Sequence, residues 1–196
     1  MTKQLMSQEE MESLVRRFGE PHRQNHALEV SQESYDHWVR KIQTGPVSCR
    51  GEVVMVILRP NGKVLLHTKD FYPRGVYRLL SGRVLWDEKV EEALRHEVHE
   101  ETGLDVRVEQ FLGVIEYEFR CRGNRLPFVS YVFQLRELGG ELCCRDDQEG
   151  ISDFREATVG ELSSVAEELD NLVPRWRDWG NFRAIAHRLV GEILKG

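Results

Sequence analysis

Apolar side chains recur at helical intervals in two short stretches near the start of the chain. Ser7 and Glu10 form a capping-box pair, and Met11, Leu14, Val15 and Phe18 follow at helical spacing. Tyr35, Trp38, Val39 and Ile42 then stand at i, i+3, i+4, i+7, and Gly45-Pro46 ends that stretch. Each helix has one apolar stripe to bury, on the main domain or on a second subunit, so a homodimer stays open. On this pattern residues 1–48 form an N-terminal helical extension, and residues 49–196 form the main domain.

From Gly51 the period changes. Val53–Leu58 is a continuous apolar run of strand length, Arg59-Pro60-Asn61-Gly62 is a turn, and Val64–His67 is the return strand. Residues 77–85 read as another short strand. Lys89–Thr102 is helical, with Val90, Leu94 and Val98 on the buried face and Gly103 at the C-cap position. Two strands follow at Phe111–Phe119 and Pro127–Leu135. Residues 160–170 and 181–195 then read as helices, the second with Phe182, Ile185, Leu189, Val190 and Ile193 on one side. Strands mixed with a central and a late helix predict an α/β sandwich.

The totals narrow the classes. The chain has 196 residues, 40% hydrophobic and 31% charged, which suits one domain with additions. A net charge of −6 argues against a general nucleic-acid or membrane-surface binder, since both partners are polyanionic. No run of 18 apolar residues exists and the first ten residues lack an apolar signal core, so a cytoplasmic location is expected. Cys49, Cys121, Cys143 and Cys144 show neither C-x-x-C nor zinc spacing, which suits idle thiols in a reducing compartment.

The chemistry concentrates between Gly82 and Leu104. Glu97, Glu100 and Glu101 stand at i, i+3, i+4, so all three carboxylates project from one helix face. Like charges so spaced repel, and a hard divalent cation removes that cost. Mg²⁺ takes oxygen ligands and fills its remaining positions with waters and substrate phosphates. Glu88 falls at the loop-helix junction and can point to the same cluster, while Gly82 lets backbone approach closely. HEVHE is not the zinc motif H-E-x-x-H, because His96 and His99 are three apart. Surface positions suit His22 and His26.

This stretch resembles the Nudix box, Gly-x5-Glu-x7-Arg-Glu-U-x-Glu-Glu-x-Gly-U, with U a bulky aliphatic residue. Gly82, Glu88, Glu97, Val98, Glu100, Glu101, Gly103 and Leu104 match. Chance agreement at these positions is roughly 10⁻⁸ per starting point on average composition. A looser resemblance covers residues 50–173, including EGISDFREATVGEL after the box. His96 replaces the family's arginine, Leu80-Ser81-Gly82 replaces its Pro-Gly-Gly, and Tyr77 replaces its Trp.

The resemblance implies a Nudix-type α/β/α sandwich with a mixed sheet and a metal-dependent pyrophosphohydrolase that uses Mg²⁺ or Mn²⁺. Its substrate would be a small-molecule diphosphate, such as a nucleoside diphosphate linked to another moiety. By the same resemblance Glu97, Glu100, Glu101 and the Gly82 carbonyl hold the metal, Glu97 or Glu149 is the general base, and Glu88 and His96 support. Phe119–Arg122 carry no downstream Pro or Tyr sub-signature, so the substrate stays open.

Lys69, Arg74, Arg78 and Arg83 approach the box and could hold phosphates or be solvated. Trp176, Trp179 and Phe182 could stack a base, although helical spacing favours packing, and Phe71, Tyr72 and Tyr77 share the ambiguity. The alternative function is a Nudix-fold sensor that binds a nucleotide metabolite with little turnover. An isopentenyl-diphosphate-isomerase-like enzyme would need a site cysteine, and Cys49 stands before the first expected strand.

Overall fold

The run from Val53 to Leu58 is apolar throughout because both of its faces are buried. Val53, Met55 and Ile57 enter one core, while Val54 and Val56 enter a second on the opposite face. The computed structural model describes residues 6–44, 48–144 and 149–195. In chain order the elements are α1 (Gln8–Phe18), β1 (His22–Glu29), α2 (Gln32–Val39), a π-turn (Arg40–Thr44), β2 (Cys49–Leu58), β3 (Val64–Lys69), β4 (Arg78–Leu85), α3 (Val90–Thr102), β5 (Leu104–Cys121), β6 (Asn124–Gly140), β7 (Ile151–Ala157), α4 (Leu162–Asp170) and α5 (Arg177–Lys195). The stop expected at Gly45-Pro46 lies outside the described residues.

One seven-stranded mixed sheet runs β1-β5-β6-β2-β4-β3-β7. β2 lies parallel to β6 and antiparallel to β4, so the central strand joins the long β5–β6 hairpin to the strands that carry the site. That hairpin turns through Arg122 and Gly123, both at positive φ, the conformation a tight two-residue hairpin requires. α1 and α3 cover one face of the sheet, where Leu14, Val90, Leu94 and Val98 meet Met55 and Phe133. α2, α4 and α5 cover the other, where Trp38 packs on Phe119 at 4.2 Å between ring centroids. This is the expected α/β sandwich.

The N-terminal segment differs from the all-helical extension expected of it. Residues 22–29 form a strand that pairs in parallel with β5, from His22 opposite Gly113 to Glu29 opposite Arg120. The sequence HRQNHALE lacks an apolar face, so its extended form comes from the hydrogen-bonding edge of β5 and not from propensity. His22 and His26 therefore sit on an edge strand. Cys49 likewise opens β2 instead of preceding it, buried at 3% exposure.

Candidate active site

The box folds as its spacing requires. β4 delivers Gly82 beneath α3, and Gly103 closes that helix in the left-handed region at φ 65°. A Cβ on Gly82 would lie 2.0 Å from Glu97 Cδ, so no larger residue fits while Glu97 holds its place. The Arg83 N–H donates to Glu97 Oε1 at 2.9 Å and fixes that carboxylate over the end of β4. The other end of α3 is held from the extension. Glu10 accepts from the Val90 N–H at 2.7 Å and from Arg50 at 2.9 Å, satisfying a donor in the first turn of α3. Ser7 caps α1 as expected, but the Glu10 side chain leaves its own helix for this contact.

Glu101 is fully buried and neither carboxylate oxygen has a hydrogen-bond partner. Lys69, at the end of β3, stands 3.5 Å from Glu101 and 2.5 Å from Glu149, which precedes β7. Glu97, Glu101 and Glu149 therefore share one pocket of charge with a single ammonium between two of them. Burial pushes Glu101 up to about 8, Lys69 and Arg78 oppose that rise, and Glu97 and Glu149 add to it. Burial likewise pushes Glu97 up to about 7, with His96 and Arg83 opposing and Glu149 adding. Acids so close and so dry resist full ionisation unless more positive charge arrives.

Glu100 departs from this group. It faces the solvent side of α3, where His96 Nε2 meets it at 3.0 Å, and His96 Nδ1 meets Glu88 at 3.1 Å. Glu100 lies roughly 100° round the helix from Glu101 and about 60° from Glu97, and its contact with His96 directs its carboxylate away from theirs. Both ring nitrogens of His96 bond carboxylates, which calls for the doubly protonated ring. Burial works against that charge, yet the Glu88 hydrogen bond and the charges of Glu97 and Glu100 outweigh it and raise the pKa.

The expected phosphate-binding residues separate. Lys69 lies inside the carboxylate group, and Arg83 lines the cavity in front of it with an exposed side chain. Arg78 lines it too but is pinned, donating to the Tyr72 hydroxyl at 2.9 Å, Ser81 Oγ at 2.9 Å and the Leu79 carbonyl at 2.7 Å. Arg74 is exposed on the loop before β4 and does not line the cavity.

The cavity itself, of about 780 Å³, runs from Gly82, Glu97 and Glu149 to a wall formed by Tyr72, Trp176 and Trp179. Trp176 and Trp179 thus belong to the cavity wall; Phe182 borders the same cavity but is largely buried among Phe119, Tyr117 and Phe128. Phe71 is 58% exposed beside Tyr72, and Tyr77 donates to Asp153 at 2.5 Å on another face. Cys49 also lines the cavity, but burial pushes its thiol up to about 11, which does not suit a nucleophile at neutral pH. A second hollow of about 880 Å³ under α1, lined by Met11, Val15 and Pro127, lies apart from these carboxylates.

Among the described residues no three acids, histidines or cysteines stand close enough to form a finished metal cage. The donor chemistry still fits a hard divalent cation. Glu101 offers two buried oxygens without a hydrogen bond, with Lys69 3.5 Å from one of them, Glu97 and Glu149 offer more, and all are carboxylate oxygens of the kind Mg²⁺ and Mn²⁺ take.

Comparison with known proteins identifies the family. The model of the NUDIX domain matches residues 50–179. An ADP-ribose pyrophosphatase of Methanocaldococcus jannaschii is 33% identical over 126 residues, covering 64% of this chain and 72% of its own. Among solved structures, an ADP-ribose pyrophosphatase from Streptococcus suis is 19% identical with a TM-score of 0.46, over 74% of this chain and 91% of its own. A Nudix hydrolase from Nitrosomonas europaea is 20% identical with a TM-score of 0.48, over 71% and 88%. The chain belongs to the NUDIX family. It is a Nudix-type hydrolase that acts on phosphoric anhydrides.

Sequence reasoning missed Glu10, which lacks any local signal of its distant contact, and Lys41 and Trp38, which line the cavity from the extension. The apolar stripe of α2 announced Trp38 as packed but not what it would border.

Proposed function

We propose that this chain is a metal-dependent pyrophosphohydrolase that cleaves the P–O–P link of a nucleoside diphosphate joined to another moiety. The observation that carries this reading is Glu101, buried without a hydrogen-bond partner for either oxygen behind Glu97 and Glu149, which line the end of an open cavity. Leaving a carboxylate so placed is costly, and the cost has a purpose if a cation completes the group. Glu97, Glu101, Glu149 and the Gly82 carbonyl are the groups that would hold it. When bound, Mg²⁺ or Mn²⁺ supplies Lewis-acid neutralisation of the phosphate oxygens.

The rest falls to the chain. Glu97, with a pKa of about 7, is suited to take a proton from the attacking water near neutral pH, and Glu149 at the cavity edge is the other candidate. Arg83 is exposed in the cavity and placed to bind phosphate oxygens. His96 holds Glu88 and Glu100 away from the reacting group. ADP-ribose is the first substrate to try, on the name of the Methanocaldococcus jannaschii relative.

One observation favours the second reading, a sensor that binds without turnover. Lys69 pairs with both Glu149 and Glu101, so an internal cation already offsets part of the acidic charge. The test is release of the two phosphomonoester products, AMP and ribose 5-phosphate for ADP-ribose, from ADP-ribose and a panel of other diphosphate-linked compounds with Mg²⁺ or Mn²⁺. Wild type is compared with Glu101→Gln, and with wild type in EDTA. Turnover lost in the variant and in EDTA supports the hydrolase. Nucleotide binding with no turnover on any compound would move the assignment to the sensor.

A further inference from the structure

About two fifths of the residues that line the cavity lie outside the family-matched span of 50–179. His37, Trp38, Lys41 and Ile42 of the extension face it, as does Arg183 of α5. This wall is built in place. Ser31 donates to Asp178 of α5 through its backbone N–H at 2.9 Å and its hydroxyl at 2.7 Å. Seven residues on, Trp38 is buried against Phe119 and Phe182. α2 and the π-turn that follows are therefore anchored at both ends of the segment that borders the cavity.

Cations predominate on this side, although Glu33 of α2 also lines it. Lys41 and Arg83 both line the cavity, and neither forms a salt bridge among the described residues; the same holds for Arg40 and Arg175 at its margin. Arg183 is different, because Glu52 holds it in a buried ion pair at 2.7 Å. Lys41 keeps solvent access, yet the surrounding walls take water from its ammonium and lower its pKa. Tyr72 opposes that effect, and Arg183, Arg83 and Lys69 strengthen it. Such a lysine gains more from an anion than one in open water does. Beside these cations stand Tyr72, Trp176 and Trp179, with ring centroids 4.7 Å apart for Tyr72–Trp179 and 5.3 Å for Trp176–Trp179. All three keep partial exposure towards the cavity.

We infer that the extension is the specificity wall of the site: Lys41, together with Arg83, grips the phosphates of a nucleoside diphosphate while its base stacks on the Tyr72–Trp176–Trp179 wall. The identity of the phosphates as part of a substrate rests on the pyrophosphohydrolase reading, but binding itself does not. Two unpaired cations suit a diphosphate, an aromatic wall suits any base, and the cavity volume falls within the range of nucleotide-sized sites.

The test is calorimetric titration of the full chain in EDTA, where no turnover occurs, with ADP, pyrophosphate and ribose 5-phosphate. ADP should bind about tenfold more tightly than either probe lacking a base, since stacking one base contributes roughly 1–3 kcal/mol. Lys41→Met should weaken ADP about tenfold, the loss expected when a charged hydrogen bond is removed, and Lys41→Arg should restore most of it. Trp176→Ala should weaken ADP and leave pyrophosphate unchanged. Lys41 is exposed, so the Met variant is expected to fold, and an unaltered melting temperature checks this. ADP affinity unchanged in Lys41→Met, or no ADP binding by wild type, would overturn the inference. ADP binding that depends on Lys41 in a protein without hydrolysis would sink the pyrophosphohydrolase reading alone. Hydrolysis with Lys41-independent binding would sink this one alone.

Discussion

Gly82→Ala is the sharpest probe of the catalytic geometry because it adds one methyl group where the structure has no room. The new Cβ would stand 2.0 Å from Glu97 Cδ, 2.1 Å from Cγ and 2.3 Å from Oε2. Carbon atoms in contact prefer about 3.5–4.0 Å, so the Glu97 side chain must retreat by roughly 1.5 Å. The clashing atoms all belong to one side chain at the cavity edge, which can swing into open space, and Gly82 itself is not at positive φ. The fold is therefore expected to survive, with melting temperature within a few degrees of wild type.

Activity should not survive. Displacement breaks the 2.9 Å bond from the Arg83 N–H to Glu97 and moves the candidate base off its mark. A 1 Å misplacement of a reacting group costs about 10²-fold in rate, so a fall in kcat of at least that size is expected with little change in KM. The assay is steady-state hydrolysis of ADP-ribose with Mg²⁺, with thermal unfolding by circular dichroism as the control for folding. A variant with kcat within threefold of wild type would refute the placement of Glu97 in the reaction.

Two further outcomes follow from histidines, His187 in the core and His96 at the surface. His187 lies fully buried, accepting from the Leu79 N–H and donating to the Arg183 carbonyl, both at 2.9 Å. Burial, aided by Arg78 and Arg183 and opposed by that carbonyl bond, lowers its pKa from 6.5 to about 4. The unfolded chain then takes the proton first, so this group costs stability as pH falls from about 6.5 to about 4, by about 3 kcal/mol once complete. Urea unfolding of wild type and His187→Gln at pH 7.5 and 4.5 isolates this, because Glu97 and Glu101, with raised pKa values, act in the opposite direction in both proteins. A loss of equal size in the two proteins would contradict it. At His96, His96→Arg should keep activity within about threefold, since a guanidinium can bridge Glu88 and Glu100 bidentately. His96→Leu should lose about tenfold or more, as two partly buried carboxylates lose a charged partner. Equal losses in the two variants would show that the imidazole has a role of its own.

What was legible in the chain was local. The box is a strand, a loop and one helix, so fixed spacings translate directly into places on that helix, and Gly82, Glu97, Glu101 and Gly103 stand where spacing put them. Glu100 was less legible because sharing a helix face is a coarse criterion, and in this structure its side chain meets a partner four residues earlier, His96. β1 was invisible because an edge strand with polar side chains on both sides has no period to detect; its reason lies ninety residues away in β5. The cavity wall combines residues 31–42 with 72 and 176–183, a meeting that only the tertiary fold creates.

That edge strand has a consequence for any shortened form of the protein. A fragment cut to the family boundary at Arg50 would uncover the flank of β5 from Gly113 to Arg120, eight residues of one of the longest strands in the sheet. An exposed row of N–H and C=O groups of that length invites pairing with the same row on another molecule. The extension moves the open edge from β5 to β1, whose sequence HRQNHALE is polar and charged, and the minimal family unit of this chain is expected to self-associate more readily than the whole chain.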